Sequence, residues 1–114
     1  IAALYDDYFA GSSQIIPLRK SPEVSHAYHL YVVKLRGKDR SEVFQQLRDR
    51  GIGVNVHYIP VHTQPYYAQF GFAEGQFPMA EDYYARAISI PLFATMTPTQ
   101  QDAVIAALHR HLAP

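Results

Sequence analysis

Side chains that can bind a polar ligand are concentrated between residues 54 and 92 of this sequence. Two histidines and a tyrosine in the first part of that stretch, His57, Tyr58 and His62, lie close together in sequence. Neutral imidazole and phenol groups both donate and accept hydrogen bonds, and the neighbouring Pro60 restricts the backbone that carries them. Because loops commonly carry binding residues, this composition predicts the rim of a ligand site. Packing inside a folded core is the alternative interpretation.

The spacing of the same residues argues against metal binding and against self-contained catalysis. His57 and His62 are five positions apart with no carboxylate between residues 54 and 72, whereas a helical zinc pair sits at positions i and i+4. His109 and His111 cannot share a helix face and are expected to stabilise the end of the last helix. The sequence has no cysteine, no Gly-x-Ser-x-Gly elbow and no Walker loop. We therefore predict no metal site and no catalytic residue in this chain.

The composition fits one folded domain and excludes several classes of partner. The 114 residues are 48% hydrophobic, which is enough for a modest core. Ten basic and ten acidic residues cancel, so electrostatic binding of nucleic acid or of a membrane surface is not expected. No apolar run could span a bilayer, and the first ten residues, which include Asp6 and Asp7, do not resemble a signal peptide. We expect a cytoplasmic protein.

The predicted elements alternate between helices and strands. Capping signals mark two helices, since Asp39 with Glu42 begins one that ends at Gly51, and Thr97 with Gln100 begins the last one. Periodicity, residue type and first-turn prolines predict further helices over residues 1–10, 63–70 and 78–86, and strands over residues 15–18, 27–35, 53–58 and 88–90. The strand over residues 27–35 is apolar on both faces and is expected to be central. The sum is a small α+β domain in which helices cover a short mixed or antiparallel sheet.

The same spacing predicts which residues are buried. On the two capped helices the expected buried side chains are Val43, Phe44 and Leu47, and then Val104, Ile105, Leu108 and Leu112. Gly11 is expected to cap the first helix. Met79 and Tyr83 are expected to line one side of the helix over residues 78–86. Tyr58 is expected to share a strand face with Val54.

Four short motifs together resemble one enzyme family. They are Ser-His-Ala-Tyr-His-Leu-Tyr-Val-Val at 25–33, Gly-Ile-Gly-Val-Asn-Val-His-Tyr-Ile-Pro-Val-His at 51–62, Phe-Pro-Met-Ala-Glu at 77–81 and Ile-Pro-Leu-Phe at 90–93. In this order they resemble the C-terminal segment of the pyridoxal-phosphate-dependent sugar-nucleotide aminotransferases of the DegT–DnrJ–StrS type. Within that family the likeness is closest to the aminotransferases of pseudaminic-acid biosynthesis. Ala94 departs from the proline that is common there.

The resemblance implies a fold and a division of labour between domains. The fold would be aspartate-aminotransferase-like (fold type I), with residues 1–114 forming a single small C-terminal domain. This domain would be a fragment that lacks the large pyridoxal-phosphate-binding domain. The parent would be a homodimer whose C-terminal domain closes over a UDP- or dTDP-linked sugar. By this resemblance His57, Tyr58, His62 and Tyr66 would line the substrate cleft.

The resemblance also implies where the chemistry is carried out. The lysine that binds the cofactor would lie upstream, because the surroundings of Lys20, Lys34 and Lys38 do not match its motif. The fragment alone is therefore expected to bind no pyridoxal phosphate and to be inactive. The parent would aminate a nucleotide-linked 4-keto-6-deoxy sugar from an amino-acid donor, in the first instance glutamate, in cell-surface polysaccharide or nonulosonic-acid biosynthesis. The alternatives are a pyridoxal-phosphate-dependent sugar dehydratase of the same family and a non-catalytic ligand-binding or interaction module.

Overall fold

Helices and strands alternate along residues 1–112, the part of the chain that the computed structural model describes, with side chains described as far as Arg110. In chain order the elements are α1 (Ala2–Phe9), β1 (Ile15–Pro17), β2 (Tyr31–Leu35), α2 (Arg40–Asp49), a 3₁₀ helix (Val61–Thr63), α3 (Pro65–Ala68), α4 (Pro78–Arg86), β3 (Ala87–Ile90) and α5 (Pro98–Leu112). The predictions for the side chains of His111 and Leu112 lie outside the described residues. Along the described residues, no helix is both long and apolar enough to cross a membrane.

The three strands form one antiparallel sheet in the order β1-β2-β3. At its centre Val33 of β2 pairs with Pro17 of β1 on one side and with Ile88 of β3 on the other. The predicted central position of β2 and the predicted α+β fold are therefore confirmed. Of the mixed and antiparallel sheets that the sequence leaves open, the structure has the antiparallel one. Alternate residues of β2 are buried while Val32 and Lys34 are only half-buried, so one face of the strand is covered more completely than the other.

One contiguous core lies between the sheet and the helices α1, α2 and α5. Tyr5 of α1, Leu47 of α2 and Leu108 of α5 are each 0% exposed, which confirms the predicted burial of the two leucines. Burying a leucine of this kind stabilises a fold by about 1.5–3 kcal/mol relative to leaving it exposed. The hydroxyl of Tyr5 donates to the carbonyl of Pro91 at 3.0 Å, which satisfies the polar end of the buried ring. Burial also raises the pKa of Tyr5 to about 12.

Both predicted helix caps are present. The Asp39 carboxylate accepts from the Glu42 N–H at 2.8 Å at the start of α2. At the start of α5 the capping is reciprocal, since Thr97 N–H donates to the Gln100 side chain at 2.9 Å and the Thr97 hydroxyl accepts from Gln100 N–H at 3.3 Å. These bonds satisfy N–H groups that a helix cannot pair internally. The Gly51 prediction is also confirmed, because its φ of +75° is the left-handed conformation that follows a helix end.

Four predictions about the elements are wrong or too long. The strand expected over residues 27–35 begins only at Tyr31, because Tyr28 has a φ of +50° and its N–H donates to Nδ1 of His26. The helix expected over residues 63–70 is replaced by the short 3₁₀ helix and α3. Gly11 is not a left-handed cap, since α1 ends on Ala10 in right-handed geometry. Met79 does not line a buried face of α4, since it is 82% exposed.

The strand predicted over residues 53–58 is also wrong. Asn55 makes a single isolated bridge to Ser89 of β3, and no ladder continues from it. Val54 is buried as expected, but Tyr58 is 72% exposed and does not share a buried face with it. The alternation of apolar residues was correct as a signal of partial burial. It did not reveal that the chain leaves the sheet after one residue.

Candidate functional site

Residues 56–86, which include the four predicted site residues, leave the edge of the sheet and return to it, and we call this segment the excursion. Its entry is fixed at Asn55, whose N–H and C=O both bond to the backbone of Ser89, at 3.1 and 2.8 Å. The chain then passes through a cis peptide bond between His57 and Tyr58 and enters the 3₁₀ helix and α3. It returns through a glycine-containing loop to α4, which leads directly into β3. The excursion is therefore anchored to the same strand at both ends.

The structure does not bring the four predicted residues to one point. Tyr58 and Tyr66 are exposed at 72% and 64%, so their hydroxyls are free to meet a ligand from solution. His57 is half-buried, and His62 is only 9% exposed. Tyr58 lies in a groove that Tyr84 of α4 also lines. The four side chains therefore occupy different surroundings, and their shared role as a substrate cleft stays a prediction.

His57 is one of the residues that line a cavity of about 590 Å³. Its Nδ1 is 2.8 Å from the hydroxyl of Ser89, a side chain that is only 5% exposed. The rest of the lining is largely apolar and comes mainly from the end of β3, from the chain before His57 and from α5, and it also includes His29. The bond to Ser89 therefore gives the imidazole of His57 a defined orientation beside this cavity.

His62 is held by an acidic residue from another element. Its Nε2 lies 2.8 Å from Oε1 of Glu81, and the ring must donate here because an ionised carboxylate only accepts. The His62 ring also packs against Phe77, with 4.7 Å between ring centres. In this arrangement His62 connects the 3₁₀ helix to α4.

An apolar pocket of about 370 Å³ lies beside the His62–Glu81 pair. Its lining consists of Pro60, Val61, His62, Tyr67, Phe72, Phe77 and Ala80. The surrounding surface is unusually aromatic, because Tyr66, Phe70 and Phe77 are exposed at 64%, 61% and 47%. We call residues 61–77, which carry these rings, the aromatic lobe. Exposed rings with phenol hydroxyls among them can cover the apolar and the polar parts of a ligand at once.

Two functional neighbours were missed at the level of sequence. Glu81 and Ser89 contact His62 and His57, but neither is among the site residues that the sequence predicts. The sequence offers one signal for the role of Glu81. It is an acidic residue in the first turn of α4, and it follows a stretch, residues 54–72, that contains no carboxylate. Nothing in the sequence signals the partner of Ser89, because His57 lies 32 positions away.

The Glu81 carboxylate accepts hydrogen bonds from three donors, the His62 ring and the N–H groups of Gly75 and Phe77. Its two oxygens each accept from Gly75 N–H at 2.9 Å, and Oε1 also accepts from Phe77 N–H at 3.2 Å. The N–H of Gly75 first, then the His62 ring and the N–H of Phe77, hold the pKa of the Glu81 carboxyl below its ordinary value. The ionised form is favoured because every one of these partners donates to it.

Acidification is therefore expected to remove the stabilisation that Glu81 provides. The folded pKa is below the ordinary value of 4.5, so this contribution is fully present above that pH and is lost as the pH falls through the folded pKa. Urea unfolding of the wild-type chain and of Glu81→Gln at a series of pH values measures it. The difference in free energy of unfolding should shrink on acidification, and a difference that is constant from about pH 7 to about pH 3 would contradict the assignment.

The lysines of this chain lie in surroundings unlike those that a pyridoxal phosphate site provides. A pyridoxal phosphate site needs a lysine amine facing an enclosed cavity and a carboxylate for the ring nitrogen. Lys20 and Lys38 are exposed, and Lys34 is half-buried on the central strand. Asp6, which lines a surface groove with Lys20, already accepts the hydroxyl of Tyr31 at 2.6 Å. Among the side chains of residues 1–110, no group of three or more His, Asp or Glu is arranged to hold a metal ion.

Comparison with known proteins places this fold among sugar aminotransferases. Spr1654 from Streptococcus pneumoniae, whose structures are named for a sugar aminotransferase, matches 92% of this chain and 27% of its own in the apo form, with a TM-score of 0.85 and 32% identity. Structures of the same protein also exist in its PLP and PMP forms. PseC from Helicobacter pylori, an aminotransferase involved in the biosynthesis of pseudoaminic acid, matches 96% of this chain and 30% of its own, with a TM-score of 0.84 and 26% identity. The predicted aminotransferase-like fold is confirmed.

Sequence relatives agree with the structural match. The spore coat polysaccharide biosynthesis protein SpsC from Bacillus subtilis is 41% identical over 95% of this chain and 29% of its own length. The chain thus spans less than a third of the curated relatives it matches. A particular closeness to the pseudaminic-acid enzymes stays a prediction. The sequence model of the DegT/DnrJ/EryC1/StrS aminotransferase family matches residues 1–109, nearly the whole chain. With that match and the shared fold, this chain belongs to the DegT/DnrJ/EryC1/StrS aminotransferase family.

Proposed function

We propose that this chain is the C-terminal domain of a pyridoxal-phosphate-dependent aminotransferase that acts on a sugar nucleotide. The reaction transfers an amino group from an amino acid, in the first instance glutamate, to the 4-keto group of a 6-deoxy sugar linked to UDP or dTDP. The observation that carries this proposal is the family match over residues 1–109. The name of SpsC supports a pathway that builds a cell-surface polysaccharide, and PseC supports a nonulosonic acid as the second candidate product.

The proposed role of this domain is to close over the substrate. Tyr58 and Tyr66 support this role because their side chains project from the excursion, 72% and 64% exposed, and their phenols can bond to sugar hydroxyls or phosphate oxygens. His57 is proposed to contact the substrate from the cavity that it lines, with its ring oriented by Ser89. His62 is proposed to contribute from the 3₁₀ helix, where Glu81 sets its position.

The cofactor is proposed to be held by a large domain outside this chain. The exposed or half-buried settings of Lys20, Lys34 and Lys38, together with the PLP and PMP forms of Spr1654, support this proposal. When bound, pyridoxal phosphate supplies an electron sink for the transfer of the amino group. The parent protein is proposed to be a cytoplasmic homodimer.

The function is tested on the full-length protein that contains this chain. Given pyridoxal phosphate, glutamate and a nucleotide-linked 4-keto-6-deoxy sugar, it should form the amino sugar and 2-oxoglutarate, detected by mass spectrometry. The 114-residue chain serves as the control and should form neither product. After treatment with pyridoxal phosphate and borohydride, it should also carry no stoichiometric adduct, because its lysines lack an enclosing site.

Two results would contradict this assignment in different ways. A stoichiometric adduct at Lys20, Lys34 or Lys38 of the isolated chain would show that the cofactor site is here and not on another domain. A full-length protein without a large domain and a cofactor lysine would remove the proposed reaction. Histidine in place of that lysine would favour the sugar dehydratase, and retained sugar binding without a cofactor would favour a binding module.

A further inference from the structure

Glu81 connects three separate parts of the excursion. One of its oxygens contacts the His62 ring in the 3₁₀ helix at 2.8 Å. Both oxygens accept from Gly75 at 2.9 Å, and Oε1 also accepts from Phe77 at 3.2 Å, in the loop that precedes α4. Glu81 itself lies on α4. A single carboxylate therefore joins the start of the aromatic lobe to its end and both to a helix.

The aromatic lobe has little other means of keeping its place. Within it only His62 is buried, while α3 and α4 contain no buried residue. Its rings pack mainly on each other, as in the pairs Tyr66–Phe70 at 5.6 Å and Phe72–Phe77 at 6.3 Å. Ring contacts within the lobe hold its shape but do not fix it relative to the sheet. α4 does provide that connection, because it runs directly into β3 of the sheet.

We infer that Glu81 is the positioning residue of the aromatic lobe and that it sets the lobe for recognition of the sugar nucleotide. This inference rests on the proposed function and deepens it. The carboxylate acts through His62 and through the backbone of Gly75 and Phe77, without touching the substrate itself. Loss of the carboxylate frees both ends of the lobe at once. In the variant, substrate binding then has to order the lobe, which in the wild-type protein is already ordered before substrate binds, and this cost weakens binding.

The neighbouring Asp82 is a matched control. It is an acidic residue on the same helix, but its carboxylate pairs with Arg86 one turn further along α4 and makes none of the contacts of Glu81. Asp82→Ala removes the same charge from α4 and leaves the lobe attached. A general effect of charge or helix stability would therefore appear in both variants, whereas positioning of the lobe would appear only at Glu81.

The test compares Glu81→Ala, Glu81→Gln and Asp82→Ala in the full-length protein. Glu81→Ala should raise the KM for the sugar nucleotide by about tenfold or more, the scale of one lost charge-assisted hydrogen bond, with a smaller change in kcat and an unchanged cofactor spectrum. Glu81→Gln should recover part of this loss, because its amide oxygen still accepts from the loop. Asp82→Ala should keep the wild-type KM. Amide hydrogen exchange should become faster at Gly75 and Phe77 in Glu81→Ala but not in Asp82→Ala.

A second substitution tests whether Glu81 acts through His62. If it does, the KM of the double variant Glu81→Ala, His62→Ala should rise above the wild-type value by clearly less than the product of the two single-variant increases. The reason is that both substitutions remove the same contact. A folded Glu81→Ala enzyme with wild-type KM, or one in which only the melting temperature falls, would overturn the inference. If the wild-type protein shows no aminotransferase activity, the proposed function fails, and amide exchange alone then decides: unchanged exchange at Gly75 and Phe77 overturns the role of Glu81.

Discussion

Replacing Leu47 by alanine is expected to lower the free energy of unfolding of this chain by about 2–5 kcal/mol. Leu47 is 0% exposed and lies on the face of α2 that joins the common core of the sheet and α5. The loss combines the apolar surface returned to water with a cavity that the surrounding strands and helix cannot fill. Because the described residues share one core, a change of this size removes a large part of the total stability.

Equilibrium unfolding in urea measures this effect, with Gln45→Ala as the control. Gln45 lies on the exposed side of the same helix, and among the described residues its side chain bonds only to Asp49, at 2.8 Å. Its loss should therefore change stability by no more than about 0.5 kcal/mol. The two variants differ in burial but both place alanine in α2. Equal destabilisation by the two would mean that helix formation, and not packing of Leu47, limits stability.

Substitutions in the excursion are expected to weaken sugar-nucleotide use in the full-length enzyme while leaving the cofactor spectrum nearly unchanged. The variants are His57→Ala, Tyr58→Phe and His62→Ala. Removing one neutral hydrogen bond to bound substrate should cost about 0.5–1.5 kcal/mol, and removing one to a charged phosphate about 1.5–3 kcal/mol. These values correspond to about a 2- to 150-fold loss in kcat/KM. The cofactor signal should persist, because the proposed cofactor site lies on another domain.

Melting temperature and kinetics on the same variants separate substrate contact from packing. Tyr58→Phe is the cleanest variant, since its ring is 72% exposed and phenylalanine preserves the ring. His57→Ala and His62→Ala also remove bonds to Ser89 and Glu81, so a fall in stability is expected with them. Tyr8→Phe, at an exposed position on α1, is the control for loss of a hydroxyl elsewhere. An unaltered KM with a lower melting temperature in all three variants would assign the excursion to structure alone.

Local features of this fold were accessible from the sequence because their causes are local. Asp39, Thr97 and Gln100 cap helices through bonds that span three residues, so the signal and the structure occupy the same short stretch. Pro78 marks the start of α4, and the apolar spacing of α2 and α5 correctly identified Leu47 and Leu108 as core residues. The order of the motifs was also sufficient to indicate the aminotransferase family.

The path of the excursion depended on partners far away in sequence. Whether residues 53–58 continue as a strand is decided by pairing with β3, and that pairing stops after Asn55 and Ser89. Sequence alternation records how apolar a stretch is but not whether a neighbouring strand is available to it. For this reason Tyr58, predicted on a strand face with Val54, lies instead at the surface.

By itself the sequence determined the capped helices, the apolar core positions and the family to which the chain belongs. Only the tertiary structure decided that His57 meets Ser89, that His62 meets Glu81, and that the aromatic side chains between them stand exposed on one lobe. The physical reason is distance along the chain. Caps and helical faces arise from interactions within a turn or two, whereas these pairs join residues 32 and 19 positions apart and depend on how the tertiary fold arranges β3 and α4.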